Sequence, residues 1–339
     1  MIPEDDLLSK PINLRNACIF YLGHIPTFLD IHLARATDGK ATEPASFWQI
    51  FERGIDPDVD DPEKCHAHSE IPDSWPALDE ILEHQQKIRE RAESLYASGD
   101  VDSIARVGRA MWLSFEHEAM HLETLLYMLV QSAKVLPPPG TTIPDFAALA
   151  KTSAATAVEN EWFIIPEADV RIGLDDPDSD KTTNRYFGWD NEKPARSAHV
   201  KSFRARARPI TNGEYAAYLT KTGSTAIPAS WCEEQRLNDG AYAASKRDSV
   251  VNGFHNDTNG SPISITNGKY VKTVYGPVPL EYAFDWPVVA SYDEVFGCAQ
   301  WMGGRIPTME ETKSIYTYVE SLKSKELQAL GNTIPAVNG

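Results

Sequence analysis

Cysteine is sparse: four stand in 339 residues, Cys18, Cys65, Cys232 and Cys298, and no two form a C-x-x-C pair. That excludes a fold built on disulfides and predicts reduced thiols in a cytoplasmic setting. Long apolar runs are missing too, since stretches such as Leu125 to Val130 fall far short of the ~20 residues a bilayer demands. The opening Met1-Ile2-Pro3-Glu4-Asp5-Asp6 has neither a basic n-region nor an apolar h-region, so no secretory leader is expected. Basic residues are few: 32 Lys and Arg against 49 Asp and Glu leave a net charge of −17. Residues 1–150 hold 25 acids and 12 bases, while the remainder hold 24 and 20. A surface this acidic repels phosphate backbones and anionic lipid, so neither nucleic acid nor membrane is an expected partner. No internal repeat is visible.

What is present points to two folded units. With 42% hydrophobic and 10% aromatic residues, the chain has enough apolar material for two cores. The first half reads as helical. Apolar residues recur at helical spacing over 16–35, with Pro26 marking a kink or a start. Leu78, Ile81, Leu82, Ile88 and Leu95 stripe a second helix over 77–96. The longest candidate, 103–131, ends at Pro137-Pro138-Pro139-Gly140, and a fourth helix is expected over 144–156. An antiparallel helical bundle follows, ending near 155.

From about 160 the pattern changes to short alternating strands over 162–173 and 199–206. Short helices are expected at 212–221, 291–302 and 308–328, giving an α+β domain rich in loops. Two acidic loops fail as EF-hands. Counting from Asp56, through Asp58, Asp60 and Glu63, the glycine position holds Asp61 and the final glutamate position holds Ala67. Counting from Asp176, through Asp178 and Asp180, Lys181 stands at the glycine position.

The strongest chemical signal is Phe115-Glu116-His117-Glu118-Ala119-Met120-His121. His117 and His121, four apart, leave one side of a helix on a largely apolar stripe with Ala110, Leu113, Thr124 and Met128. Two imidazoles buried there need hydrogen bonds from neighbouring helices or a shared metal ion. The segment also fits H-E-x-x-H, with Glu118 as the general base of a zinc hydrolase. The continuation of that pattern is absent, because Thr124 and Tyr127 replace its glycine and last histidine.

A third ligand has a source in the first helix. His24 can face the pair across helices ~8–10 Å apart, whereas His32, two turns on, is expected to face away. Three neutral imidazoles leave open positions that suit Fe(II), oxygen and a thiolate better than a closed structural zinc site. Cys65-His66-Ala67-His68 alternates sides in an acidic loop and is read as loop. Arg89 and Arg91 could hold a substrate carboxylate but are read as surface charges.

At this point a family becomes recognisable. The segment from His24 through His117 and His121 resembles the DinB-like domain of ergothioneine-biosynthesis sulfoxide synthases. Three further stretches resemble the formylglycine-generating-enzyme (sulfatase-modifying-factor, C-type-lectin-related) fold. They are Tyr186-Phe187-Gly188-Trp189-Asp190-Asn191-Glu192-Lys193-Pro194, Pro209-Ile210-Thr211-Asn212-Gly213-Glu214-Tyr215 and Trp301-Met302-Gly303-Gly304-Arg305-Ile306-Pro307-Thr308. Cys65 to Pro72 and Tyr275 to Trp286 look most like the fungal branch.

The resemblance implies a DinB-like four-helix bundle over 13–155 and an incomplete formylglycine-enzyme-like α+β domain over 160–339. It implies an Fe(II) enzyme that uses O2 to join cysteine or γ-glutamylcysteine to the imidazole of hercynine as a sulfoxide. His24, His117 and His121 match the family's iron ligands. Met120 stands where bacterial relatives carry a substrate-touching glutamine. The family continues past Pro307-Thr308 into a part that supplies its catalytic tyrosine, so no catalytic residue is assigned here. A partner chain completing the second domain is one expectation, and a non-catalytic metal-binding relative is the alternative reading. Gly188 and Gly303 are expected in turns, and Trp189 and Trp301 in the core.

Overall fold

The computed structural model describes residues 1–13, 15–52, 55–57, 65–67, 72–177, 187–233 and 266–329. Of 55–57, 65–67 and 326–329 it describes the main chain alone. The acidic run Asp58 to Glu63, His68, the loop residues Asp178 to Lys181, Tyr186 and the last ten residues lie outside that set.

Three long helices dominate the first half: α1 (Cys18–Ala36), α3 (Leu78–Ser98) and α5 (Ala105–Leu129). Short helices α2 (Phe47–Phe51) and α4 (Asp100–Ser103) link them. α1 packs against both α3 and α5, and α2 lies beside α1. The core between them gathers Phe20, Tyr21, Phe47, Phe51, Ile81 and Met128, all buried. Gly99, at φ 79°, ends α3 with the left-handed residue that glycine adopts at no steric cost. Pro26 sits within α1 rather than at its start, and the helix continues through it.

Asp30 fastens this half together. Its fully buried carboxylate accepts from Thr42 N (2.9 Å), Thr42 Oγ1 (2.6 Å), Trp48 Nε1 (2.8 Å) and Arg91 Nη1 (2.9 Å). Arg91 also donates to Lys40 O (2.9 Å) and Thr37 Oγ1 (3.1 Å), so it is a structural cation and not the free surface charge expected. Arg89 remains exposed.

The main chain of Cys65–Ala67, expected as loop, is a short strand β2 paired antiparallel with β1 (Ile55–Pro57). The second half is built of small antiparallel sheets. β3 (Trp162–Ile165) pairs with β6 (Phe203–Arg206), enclosing the pair β4 (Ala168–Ile172) and β5 (Arg196–Val200) in sequence. β7 (Trp231–Glu233), β8 (Lys269–Val271) and β9 (Val278–Pro279) form a three-stranded sheet beside α7 (Asn212–Thr222) and α8 (Tyr292–Trp301). α9 (Met309–Ala329) lies on β3, β4 and β5. Reciprocal caps start these helices: Thr211 with Glu214, Ser291 with Glu294, and Thr308 with Glu311.

The helix expected over 144–156 forms as α6 (Phe146–Ala155), but it packs on the turn at Leu280–Ala283 in the second half. Phe146 meets Trp286 (ring centroids 5.7 Å apart), and Ser153 hydrogen-bonds Asp285. Gly303 is a turn residue at φ 80°. Gly188 has no left-handed φ; a Cβ there would lie 2.9 Å from Leu174 Cδ1, a methyl at the end of a side chain that can turn aside. Trp301 is 44% exposed and Trp189 half-buried, so neither is a core residue. No helix among the described residues is long and apolar enough to cross a membrane.

Candidate metal centre

His117 and His121 are one helical turn apart on the buried stripe of α5, and His24 faces them from α1. The three Nε2 atoms form a triangle with every side 3.1 Å. All three residues are buried, at 4%, 5% and 9% exposure in the order His24, His117, His121. His32 points elsewhere, with its ring against Phe28 (4.4 Å), and does not join them. His84, fully buried in α3, packs against Phe47. Among the described residues the triad is the one group of three possible metal ligands.

Each ring is oriented differently. His24 Nδ1 donates to the main-chain carbonyl of Phe51 at 2.7 Å. That carbonyl closes a five-residue helix, where the last C=O groups have no helical partner. A neutral His24 whose Nδ1 carries the proton must present a lone pair at Nε2. Phe20 stacks on the same ring at 4.9 Å and 17°. Gly23 lets α2 approach, because a Cβ there would meet the Phe51 ring at 2.5 Å. His117 is stacked on Phe28 at 3.8 Å and 11°, and Tyr21 sets its edge against His121 at 5.6 Å.

Hydrogen bonding within the triangle cannot satisfy it. Each side needs one donor and one acceptor, yet His24 Nε2 is already fixed as an acceptor. The Nδ1 atoms of His117 and His121 are buried without a hydrogen-bond partner. Nor does protonation help: burial, then the neighbouring His24, His121 and His32, pushes His117 down to about 2. Burial and His24 push His121 down to about 4, and burial lowers His24 against the opposing Phe51 bond. Three convergent neutral nitrogens fit a cation. Atoms 3.1 Å apart subtend about 95° at an ion about 2.1 Å from each, closer to a facial octahedral set than to a tetrahedron.

The neighbouring residues narrow the chemistry. Glu118, the base that a zinc hydrolase would need, is exposed and leaves α5 one position past the buried His117. Met120 is 52% exposed. Arg109 and the fully buried carboxylate of Asp176 form a two-pronged ion pair across the joint between the halves, and Gly188 N donates to the same carboxylate at 3.1 Å. Trp189 donates Nε1–H to Glu116 Oε2 at 2.8 Å.

Comparison with known proteins agrees with this architecture. Residues 1–125 match the DinB superfamily, and residues 148–314 match the sulfatase-modifying factor enzyme 1-like domain. Ergothioneine biosynthesis protein 1 of Neurospora crassa is 54% identical over 342 residues, covering 100% of this chain and 39% of that protein. Its namesake in Schizosaccharomyces pombe is 32% identical over 339 residues, covering 94% of this chain and 40% of that protein. The chain is a homologue of the ergothioneine biosynthesis proteins. It joins a DinB domain to a sulfatase-modifying-factor-like domain, and it spans about two-fifths of the length of these relatives.

Several residues of the centre were not singled out in the sequence: Phe20, Tyr21, Phe28, Phe51 and Glu116. Phe20, Tyr21 and Phe28 lie about one helical turn from His24 along α1, a signal that spacing alone offers. Phe51 acts through its main chain, which no side-chain pattern reveals.

Proposed function

We propose that this chain is the metal-bearing part of a non-haem, Fe(II)-dependent sulfoxide synthase of ergothioneine biosynthesis. In this reading it acts with O2 on cysteine or γ-glutamylcysteine and on hercynine. The observation that carries the reading is the buried triangle of neutral Nε2 atoms in a homologue of proteins named for that pathway. His24, His117 and His121 would hold the ion, and Fe(II) would supply oxygen binding and thiolate coordination at one centre.

This chain's own residues have defined tasks in that chemistry. The Phe51 carbonyl keeps the His24 proton on Nδ1, so the ring stays a neutral donor. Burial keeps His117 and His121 deprotonated well below neutral pH. Phe20, Phe28 and Tyr21 exclude water from the rings on the α1 side. Three neutral donors with no carboxylate leave the ion's charge for an anionic thiolate substrate.

The test is anaerobic loading with Fe(II), followed by oxygen uptake in the presence of cysteine or γ-glutamylcysteine and hercynine. Uptake that requires both organic substrates, with a sulfoxide product by mass spectrometry and loss in His117→Ala/His121→Ala, is the expected result. Peptide cleavage with zinc that depends on Glu118 would overturn it. Iron binding without turnover would favour the non-catalytic reading.

A further inference from the structure

We propose that Trp189, from the second half of the chain, is a positioning residue of the metal centre, acting as a clamp that fixes the His117 ring. This rests on the metal reading above and extends it across the joint between the halves.

The need for a clamp follows from the way His117 is held. Its Nδ1 has no hydrogen-bond partner, so no proton fixes the ring's rotation about its own side-chain bonds. The ring is positioned by packing instead. Phe28 lies flat against it, with centroids 3.8 Å apart and planes at 11°. A flat stack transmits position only when the second ring is itself held. Phe28 is bounded by His32 at 4.4 Å and by the indole of Trp189 at 6.1 Å.

Trp189 is in turn anchored to the other ligand-bearing helix. Its Nε1–H donates at 2.8 Å to Glu116, the residue immediately before His117 on α5. Hydrogen bonds to an ionised carboxylate are about twice as strong as neutral ones, and an indole N–H at a half-buried site needs such a partner. The indole therefore touches both metal-bearing helices: α1 through Phe28 and α5 through Glu116. The loop carrying it is seated independently, since the adjoining Gly188 N–H is bound to Asp176 and Phe187 packs under the Arg109 guanidinium. Closure of the joint and orientation of a ligand are thus one event. The consequence is that metal affinity depends on a residue outside the helical half.

The experiment uses the full chain and Co(II), read by its visible absorption and by chelator competition for affinity. Trp189→Phe keeps an aromatic plate and removes the donor; Glu116→Leu removes the acceptor from a helix surface; Glu116→Gln keeps an acceptor oxygen. Loss of a hydrogen bond made directly to a ligand costs metal sites about 10- to 100-fold in affinity; this bond acts one ring further out, so Trp189→Phe and Glu116→Leu are each expected to weaken Co(II) by about fivefold to tenfold and to alter the cobalt spectrum. Glu116→Gln is expected to stay within about twofold to threefold of wild type. Losing the bond also lowers the melting temperature of the metal-free chain, so affinities are compared at a temperature where every variant is folded, and the altered cobalt spectrum of the folded variants is the readout that a merely structural role would not move. Wild-type affinity in both Trp189→Phe and Glu116→Leu overturns the proposal, as does Glu116→Gln failing like Glu116→Leu. If the wild-type chain binds Co(II) no better than His117→Ala/His121→Ala, the metal reading itself falls and this proposal with it.

Discussion

Acid should destabilise the metal-free chain through the triad, by an amount set by burial. An imidazole titrates near 6.5 when unfolded, while folding holds His121 down to about 4 and His117 down to about 2. As pH falls below 6.5 the unfolded chain takes up protons that the folded chain refuses. Folding stability is therefore lost on acidification, between the unfolded and the folded values. Between pH 7 and pH 5 each of these two groups forfeits about 2 kcal/mol, since one pH unit is worth about 1.4 kcal/mol per proton. Urea unfolding of the metal-free protein at several pH values measures this directly. His121→Gln should lose about 2 kcal/mol less than wild type over that interval, and adding His117→Gln should spare about 2 kcal/mol more. Carboxylates titrate mostly below that window, so the difference between variants isolates the imidazoles. Equal pH slopes in wild type and the double variant would refute the claim that these rings are held neutral by burial. Saturating metal should hold both rings deprotonated in the folded state and displace the loss to lower pH.

Other perturbations have expected sizes. Asp30→Asn turns an amide NH2 toward two buried donors and should cost about 3 kcal/mol in urea unfolding; a loss below about 1 kcal/mol would contradict the four-donor knot. Gly23→Ala pushes the Phe51 ring, from which its Cβ would lie 2.5 Å, and should weaken Co(II) binding about tenfold by displacing the carbonyl that orients His24. A melting temperature and affinity like wild type would show that α2 yields without cost. Fe(II) at about 100 times its dissociation constant should stabilise the chain by about 2.7 kcal/mol, reversed by a chelator and absent in His24→Ala.

The sequence was most informative where a single helix carried the pattern. The i, i+4 spacing of His117 and His121 on an apolar stripe required nothing from the rest of the chain, and the three long helices form within two residues of their expected ends. His24 needed one further assumption, that α1 packs against α5, and it does. Asp30 leaves a trace: it is the one acid of α1, more than one and a half turns beyond His24. Its meaning depended on Arg91, sixty-one residues away in sequence. The bond between Trp189 and Glu116 left none, because nothing local distinguishes an indole that seals a joint from one that fills a core. α6 formed where its composition placed it, yet none of its residues is buried, so periodicity could not say which half it would join.

The acceptor for the His24 proton is a peptide oxygen and belongs to the chain rather than to any side chain. Replacing the benzyl group at position 51 by another hydrocarbon leaves that acceptor in place, so codon changes there should be tolerated as far as α2 keeps its path. What holds the path is the bare α-carbon opposite, at Gly23. Variation among related chains should therefore be coupled at the two sites: a side chain at position 23 should occur only beside a residue slimmer than phenylalanine at 51, while the peptide acceptor and the tautomer it sets stay unchanged.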